Sequence, residues 1–288
     1  MLIFKQKIFC YVFFVVSTGV LLFASFSHAN ERPVKIAATS TLFSDLARHV
    51  GGDRVDVKAI ASPRFSVHFY HPTPKDIRNV RRADLYVHWG LDIEAWSDPL
   101  LEAAGKQDLF RGHKGNVDLS KGIKLLKVPE GPLSRSEGDI HLHGNPHYQM
   151  NPENFRMMAE TLADRLKSHD PGNAGEYDNN LKTFLNKLDT KINDWKISCP
   201  HCQDKEIIAY HEDTEYFALF MGLKLEEFVE PKPGIPPTPQ HLEFLKKYAK
   251  DRRIGAITIA TYFPKDSADR LAEKIGVPVV TIIQNAGE

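Results

Sequence analysis

The chain has 288 residues, with 37 lysine and arginine side chains balanced by 37 aspartate and glutamate, so its formal net charge is zero. That balance gives no electrostatic footprint for nucleic acid and no polybasic tether for a membrane surface. Thirteen histidines and three cysteines leave metal binding and thiol chemistry as the classes to weigh.

The N-terminal segment reads as an export signal. Lys5 and Lys7 precede an apolar run over 8–23 that only Ser17, Thr18 and Gly19 interrupt, and the run closes on Ser27-His28-Ala29. A positive start, a short apolar stretch and a small-x-small site define a secretory signal peptide, expected over 1–29. The run is short for a membrane-spanning helix. Cys10 lies inside it with no lipobox before a later cysteine, which argues against a lipid anchor.

The remaining roughly 260 residues suffice for one large or two modest domains. Strands are expected at 34–39, 55–61 and 84–88, with a helix at 44–50 between the first two. Thr73-Pro74-Lys75-Asp76 reads as a helix start, with Thr as N-cap, Pro at the first position and a carboxylate three residues after the cap. After Gly90 another helix is expected through Glu94 and Trp96. Two helices follow at 153–167 and 173–195, the second placing Tyr177, Leu181, Leu185, Leu188 and Ile192 on one face. Alternation then resumes, with strands at 206–210, 256–261 and 277–282 and helices at 214–221, 239–252 and 265–275. Repeated strand–helix–strand order predicts the α/β class with parallel sheets. The expected architecture is two lobes, 30–170 and 199–288, joined by one long connecting helix within 171–198, with a ligand cleft between them.

Three histidines stand where the chain should approach that cleft. His68 lies in the loop Val67-His68-Phe69-Tyr70-His71-Pro72-Thr73-Pro74, and His147 in Gly144-Asn145-Pro146-His147-Tyr148-Gln149-Met150-Asn151-Pro152. His211 directly follows the strand Ile207-Ile208-Ala209-Tyr210. In open α/β sheets, ligands gather at the carboxyl ends of strands. Three neutral imidazoles favour zinc over calcium or magnesium, which take oxygen shells. Spacing alone does not assign them: gaps of 79 and 64 residues match no compact zinc motif, and a lone loop histidine is commonly a solvated side chain.

The same segments resemble the metal-specific solute-binding proteins of ABC importers, the ZnuA-like zinc- and manganese-uptake family. His68 to Pro74 is similar to the family's H-x-Y-x-P-T/S-P, Pro146 to Pro152 to its P-H-x-W-x-D/N-P, and Tyr210-His211 with Tyr216-Phe217 to its Y-H-x-x-x-x-Y-F. Glu230 to Pro239 matches E-P-x-P-G-x-P-P-x-P. The blocks run in order over nearly the whole chain after the leader. The resemblance implies two α/β lobes with little hinge motion and a metal held in the interlobe cleft by His68, His147 and His211. It implies no reaction: the protein would be a periplasmic monomer that captures Zn2+ as transported ligand and hands it to an inner-membrane ABC permease. No nucleic acid or small organic substrate is expected. Manganese members tend to carry a carboxylate at the third position, so His211 points to the zinc branch, with Mn2+ as the second reading.

The family's fourth, usually acidic, ligand near the last strand has no evident counterpart in Val279-Val280-Thr281-Ile282-Ile283-Gln284-Asn285-Ala286-Gly287-Glu288; water, Glu212 or Glu288 are the candidates. His141 and His143, in Asp139-Ile140-His141-Leu142-His143, read as a solvated loop, a sparse version of the family's His-rich segment. His71 reads as a surface or supporting residue, His88 as a packing residue, and His49, His113, His169 and His241 as structural or solvated. Cys199-Pro200-His201-Cys202 carries the sequence of a thiol–disulfide oxidoreductase site. It lies in a link rather than at a helix start, and is expected to form a structural disulfide. A zinc hydrolase using the three histidines, a bound water and Glu212 as base is the enzymatic alternative.

Overall fold

The computed structural model describes residues 32–131 and 141–285; the expected leader, Asp139, Ile140 and Glu288 lie outside them. Strand β1 (Val34–Ser40) is buried at every position but Lys35, the near-continuous apolar run that a parallel strand covered on both faces requires. Its last residue, Ser40, accepts the Phe43 N–H at 3.2 Å, so the strand ends by capping helix α1 (Thr41–Gly51). β2 (Val55–Ala61) returns beside β1, helix α2 (Pro74–Arg82) crosses the sheet, and β3 (Leu85–His88) pairs on the other side of β1. Helix α3 (Ser97–Ala104) and the short edge strand β4 (Asn116–Asp118) complete a parallel sheet of order β2-β1-β3-β4.

The second half repeats this plan. β5 (Glu206–Ala209), α6 (Glu215–Met221), β6 (Lys224–Phe228), α7 (Pro239–Lys250), β7 (Ile254–Ala260), α8 (Asp266–Ile275) and β8 (Val279–Ile282) form a second parallel sheet of order β6-β5-β7-β8. Between the sheets run α4 (Asn154–His169) and the 25-residue α5 (Ala174–Ser198), the latter about 37 Å long at 1.5 Å per residue. Tyr177, Leu181 and Phe184 of α5 pack on the first core. The Tyr177 hydroxyl donates to Asp170 Oδ2 at 2.8 Å, which fixes the turn between α4 and α5. The expected two-lobed α/β architecture with a long linking helix is therefore what the chain forms.

The lobes also touch directly. Tyr216 and Phe217 of α6, and Ile282 of β8, pack against the core of the first lobe. The buried Tyr216 hydroxyl accepts the Leu126 N–H at 2.9 Å and donates to the Asn145 carbonyl at 2.8 Å.

Local outcomes differ from expectation where polar demands override pattern. The helix after Gly90 begins only at Ser97, because residues 89–96 are used otherwise. Leu91 takes a left-handed φ of 52°, Glu94 Oε2 accepts the Trp89 N–H at 3.1 Å, and Trp96 Nε1 donates to the Val67 carbonyl at 2.7 Å. Pro99 lacks an N–H and suits only the first turn. The edge strands β4 and β6 were not expected. At Thr73 the capping box is present with Pro74 at the start of α2. Among the described residues, no helix is long and apolar enough to cross a membrane.

Candidate metal centre

The first sheet and the loops above it carry His68. Val67–Phe69 forms a single 3₁₀ turn after β2, held by the Trp96 bond to Val67 on one side. On the other side Asp76 accepts from the Thr73 N–H and the Thr73 hydroxyl, each at 2.7 Å, and from the Tyr70 hydroxyl at 2.9 Å. His147 is placed by Asn145, whose side-chain oxygen accepts the His147 N–H at 2.9 Å, and by the buried turn Tyr148–Met150 behind it. The Tyr148 hydroxyl donates to the Trp89 carbonyl at 2.7 Å, and Trp89 Nε1 donates to Gln149 Oε1 at 3.3 Å.

His211 comes from the second lobe. It follows β5, the strand where the sheet order reverses direction, which is the switch point where α/β sheets bind ligands. Its Nδ1 lies 2.7 Å from Glu230 Oε2, and the same oxygen accepts the Gly234 N–H at 3.1 Å. Gly234 adopts a φ of 75°, a conformation glycine takes without steric penalty, and this turns the proline-rich segment back to hold the carboxylate. Glu230 opens the proline-rich block Glu230 to Pro239, and its bond to His211 is a tertiary contact that the block by itself does not announce.

The three rings converge. The Nε2 atoms of His68 and His147 are 3.3 Å apart, and the His211 ring centre is 5.9 Å and 5.7 Å from those of His68 and His147, edge-on to both. A tetrahedral ion with Zn–N bonds of about 2.0–2.1 Å places its ligand nitrogens about 3.3–3.4 Å apart, the separation seen between His68 and His147.

A fourth imidazole joins them. His141, expected in a solvated loop, has its ring centre 5.0 Å from that of His68. Ligand nitrogens of His68, His141 and His147 lie within 4.8 Å of one another. Its neighbour His143 is exposed. Nε2 of His141 and Nδ1 of His147 are buried without a hydrogen-bond partner. A cavity of about 290 Å³ opens beside the cluster, lined by His141, His147, His211, Lys127, Glu212 and Pro233 among others.

Electrostatics separate the two lobes' contributions. Burial, with the neighbouring His68, His211 and His141, keeps the His147 imidazole neutral well below the usual histidine range. At His211 burial acts in the same sense, but the Glu230 hydrogen bond and the charges of Asp213, Glu230 and Glu212 outweigh it and raise its pKa. Asp92 behaves similarly: burial opposes its ionisation, yet the His141 hydrogen bond and the Leu142 N–H draw its carboxyl below the usual range.

The other candidates are committed elsewhere. Glu212 forms an ion pair with Lys127 at 3.2 Å, so it is not poised as a general base. The described residues after β8 offer no carboxylate; Gln284 and Asn285 are buried amides. His88 is a packing residue, with Nε2 on Asn116 Oδ1 at 2.9 Å and Nδ1 accepting the Gly90 N–H at 3.0 Å. Beside it, burial pushes the Glu94 carboxyl up to about 8. His49, His71, His113 and His169 are exposed, and His241 Nε2 lies 2.9 Å from the Phe228 carbonyl oxygen. Cys199 and Cys202 are joined as a disulfide.

Residues 36–288 match the family model described as the periplasmic component A of the zinc-uptake complex. A high-affinity zinc uptake protein of Bacillus subtilis is 26% identical over 274 residues, covering 91% of this chain and 84% of that protein. A manganese ABC transporter substrate-binding lipoprotein of Streptococcus mitis is 24% identical over 257 residues, covering 87% of this chain and 80% of that protein. A crystal structure of ZnuA superposes with a TM-score of 0.74 at 24% identity, covering 88% of this chain and 92% of that one. These relatives are solute-binding proteins of metal importers and not enzymes.

Proposed function

The chain belongs to the ZnuA family of metal-binding components of ABC importers, and from that premise we propose that it is a periplasmic receptor that captures Zn2+ through His68, His147 and His211 and delivers it to an inner-membrane permease. The observation that carries this reading is the 3.3 Å separation of the His68 and His147 Nε2 atoms, with His211 edge-on beside them from the other lobe. Two unprotonated nitrogens at that distance repel each other unless a proton or a cation lies between them. Burial disfavours the doubly protonated, charged form of the His147 imidazole, so the ring keeps one nitrogen lone pair that a cation can take.

The donor set supports zinc. Imidazole nitrogen suits zinc and its borderline neighbours, whereas manganese favours carboxylate and water oxygen. Relatives of both kinds exist, so the local donors carry the distinction. Delivery to a permease rests on the family, whose members serve such importers.

The test is direct competition between the protein and a chromophoric chelator, for Zn2+ and Mn2+ separately. Stoichiometric Zn2+ binding is expected, at least 100-fold tighter than Mn2+. His147→Ala and His211→Ala should each weaken Zn2+ by two orders of magnitude or more, because each removes a ligand from a site that also depends on its supporting shell. Equal or tighter binding of Mn2+ would overturn the zinc assignment. Unchanged zinc affinity in both variants would overturn the site.

A further inference from the structure

Resting on that site, we propose that His141 is the fourth ligand, held in place by Asp92, so that the ion is enclosed by four imidazoles. Three of them, His68, His141 and His147, come from the first lobe and one, His211, from the second.

Three independent observations carry this. Ligand nitrogens of His68, His141 and His147 already lie within 4.8 Å of one another. His141 Nε2 is buried without a hydrogen-bond partner, an arrangement that is unfavourable for a ring nitrogen unless something else meets it. The opposite nitrogen, Nδ1, lies 3.1 Å from Asp92 Oδ1, while Asp92 Oδ2 accepts the Leu142 N–H at 2.8 Å. One carboxylate thus fixes both the ring and the backbone that carries it. Histidines that bind metals characteristically give their second ring N–H to a carboxylate or carbonyl, which sets the tautomer and aims the other nitrogen at the ion. His211 has the same construction, with Nδ1 on Glu230. Asp92–His141 and Glu230–His211 are therefore matching carboxylate–imidazole arms, one from each lobe.

The fourth donors anticipated from the sequence are less well placed. Glu212 is engaged by Lys127, and the described residues following β8 supply amides. An all-nitrogen shell would also sharpen selection against Mn2+, since it offers that ion none of the oxygen donors it favours.

The deciding experiment compares His141→Ala, Asp92→Asn and His143→Ala with the unaltered protein, using chelator competition for affinity. Long-range proton–nitrogen NMR of the histidine rings, recorded without metal and with stoichiometric Zn2+, reports the ligands directly. The His141→Ala spectrum assigns the resonance. Expected results are a 100-fold or greater loss of zinc affinity in His141→Ala and a 10–100-fold loss in Asp92→Asn. The exposed His143→Ala should stay within about threefold, and the Nε2 resonance of His141 should move to the metal-bound position on adding zinc. If His141→Ala binds zinc within threefold while His147→Ala fails, the fourth-ligand proposal is wrong and the site stands. If both retain zinc, the site itself is wrong. A loss of affinity in His141→Ala with an unmoved His141 Nε2 resonance would assign a structural role and also overturn the proposal.

Discussion

At the proposed site, Glu230 is expected to set the response to acid. Its carboxylate bonds to His211 Nδ1, and together with Asp213 and Glu212 it raises the pKa of His211 despite burial. The sign follows. In the metal-free protein a histidine with a raised pKa keeps its proton to a higher pH than an ordinary one, and an arriving cation must displace that proton. Zinc affinity should therefore start to fall above the usual histidine range as pH is lowered, by about tenfold per pH unit for one displaced proton. His147 adds no comparable effect near neutrality, because its pKa lies well below 6.5. Glu230→Gln removes the charge that holds the proton. It should move the onset of the loss to lower pH and, by loosening the His211 ring, weaken binding at pH 8 by about 10–100-fold. Calorimetry in buffers of different ionisation enthalpy counts the protons released on binding. Fewer protons from Glu230→Gln than from the unaltered protein at pH 7 is the expected result, and an equal count would show that Glu230 does not control the proton.

At the scale of elements, the disulfide illustrates how location overrides motif. Cys199 is the C-cap of α5, the negative end of the helix dipole, which disfavours a thiolate there; a redox site needs the opposite end. The bond to Cys202 closes a four-residue loop, so chain-entropy reasoning allows it at most about 2 kcal/mol of stability. Cys199→Ser/Cys202→Ser should unfold at slightly lower urea concentration and bind zinc as before; loss of zinc would tie the turn to the site. Elements with strong local chemistry were legible in the same sequence. Thr73-Pro74 with Asp76 announced α2, and the apolar face of α5 announced the linking helix. The edge strands were not legible. β4 has only three residues, and β6, with Lys224, Glu226 and Glu227 among its five, carries the charge that edge strands use to avoid pairing and that hides them from an apolar pattern. His68, His147 and His211 stood out by their loop settings. His141 did not, because what draws it in is Asp92, 49 residues earlier, a contact that only the tertiary fold creates.

For the whole molecule, the proposed site depends on how two lobes are held together, since His68 and His147 ride on one and His211 on the other. The interface beside the candidate metal centre is a chain of polar contacts through Asn145. Its oxygen Oδ1 holds the His147 backbone at 2.9 Å, its amide donates to the Glu212 carbonyl at 2.8 Å and also to Glu215, and its own carbonyl accepts the Tyr216 hydroxyl at 2.8 Å. Lys127 pairs with both Glu212 and Glu215 across the same boundary. Residues next to a proposed ligand in each lobe are thus bonded to one another, and a shift between lobes must move His211 relative to His147. Tyr216→Phe deletes the hydroxyl without changing the ring packed on the first core, leaving the Leu126 N–H and the Asn145 carbonyl without that partner. The expected loss is about 1–3 kcal/mol in unfolding free energy for the metal-free protein. Zinc held by the proposed ligands would stabilise the folded state by an amount that grows with the logarithm of its excess over Kd, so a variant that binds less tightly gains less, and the stability difference should persist or widen when the metal is present. The cost should also surface as faster release, because the proposed ligand cage opens when the lobes part. Stopped-flow transfer of zinc to excess chelator should show a severalfold higher dissociation rate in Tyr216→Phe with little change in association. An unchanged dissociation rate alongside the lowered stability would mean that the lobes are held at the site by the Lys127 and Asn145 contacts alone.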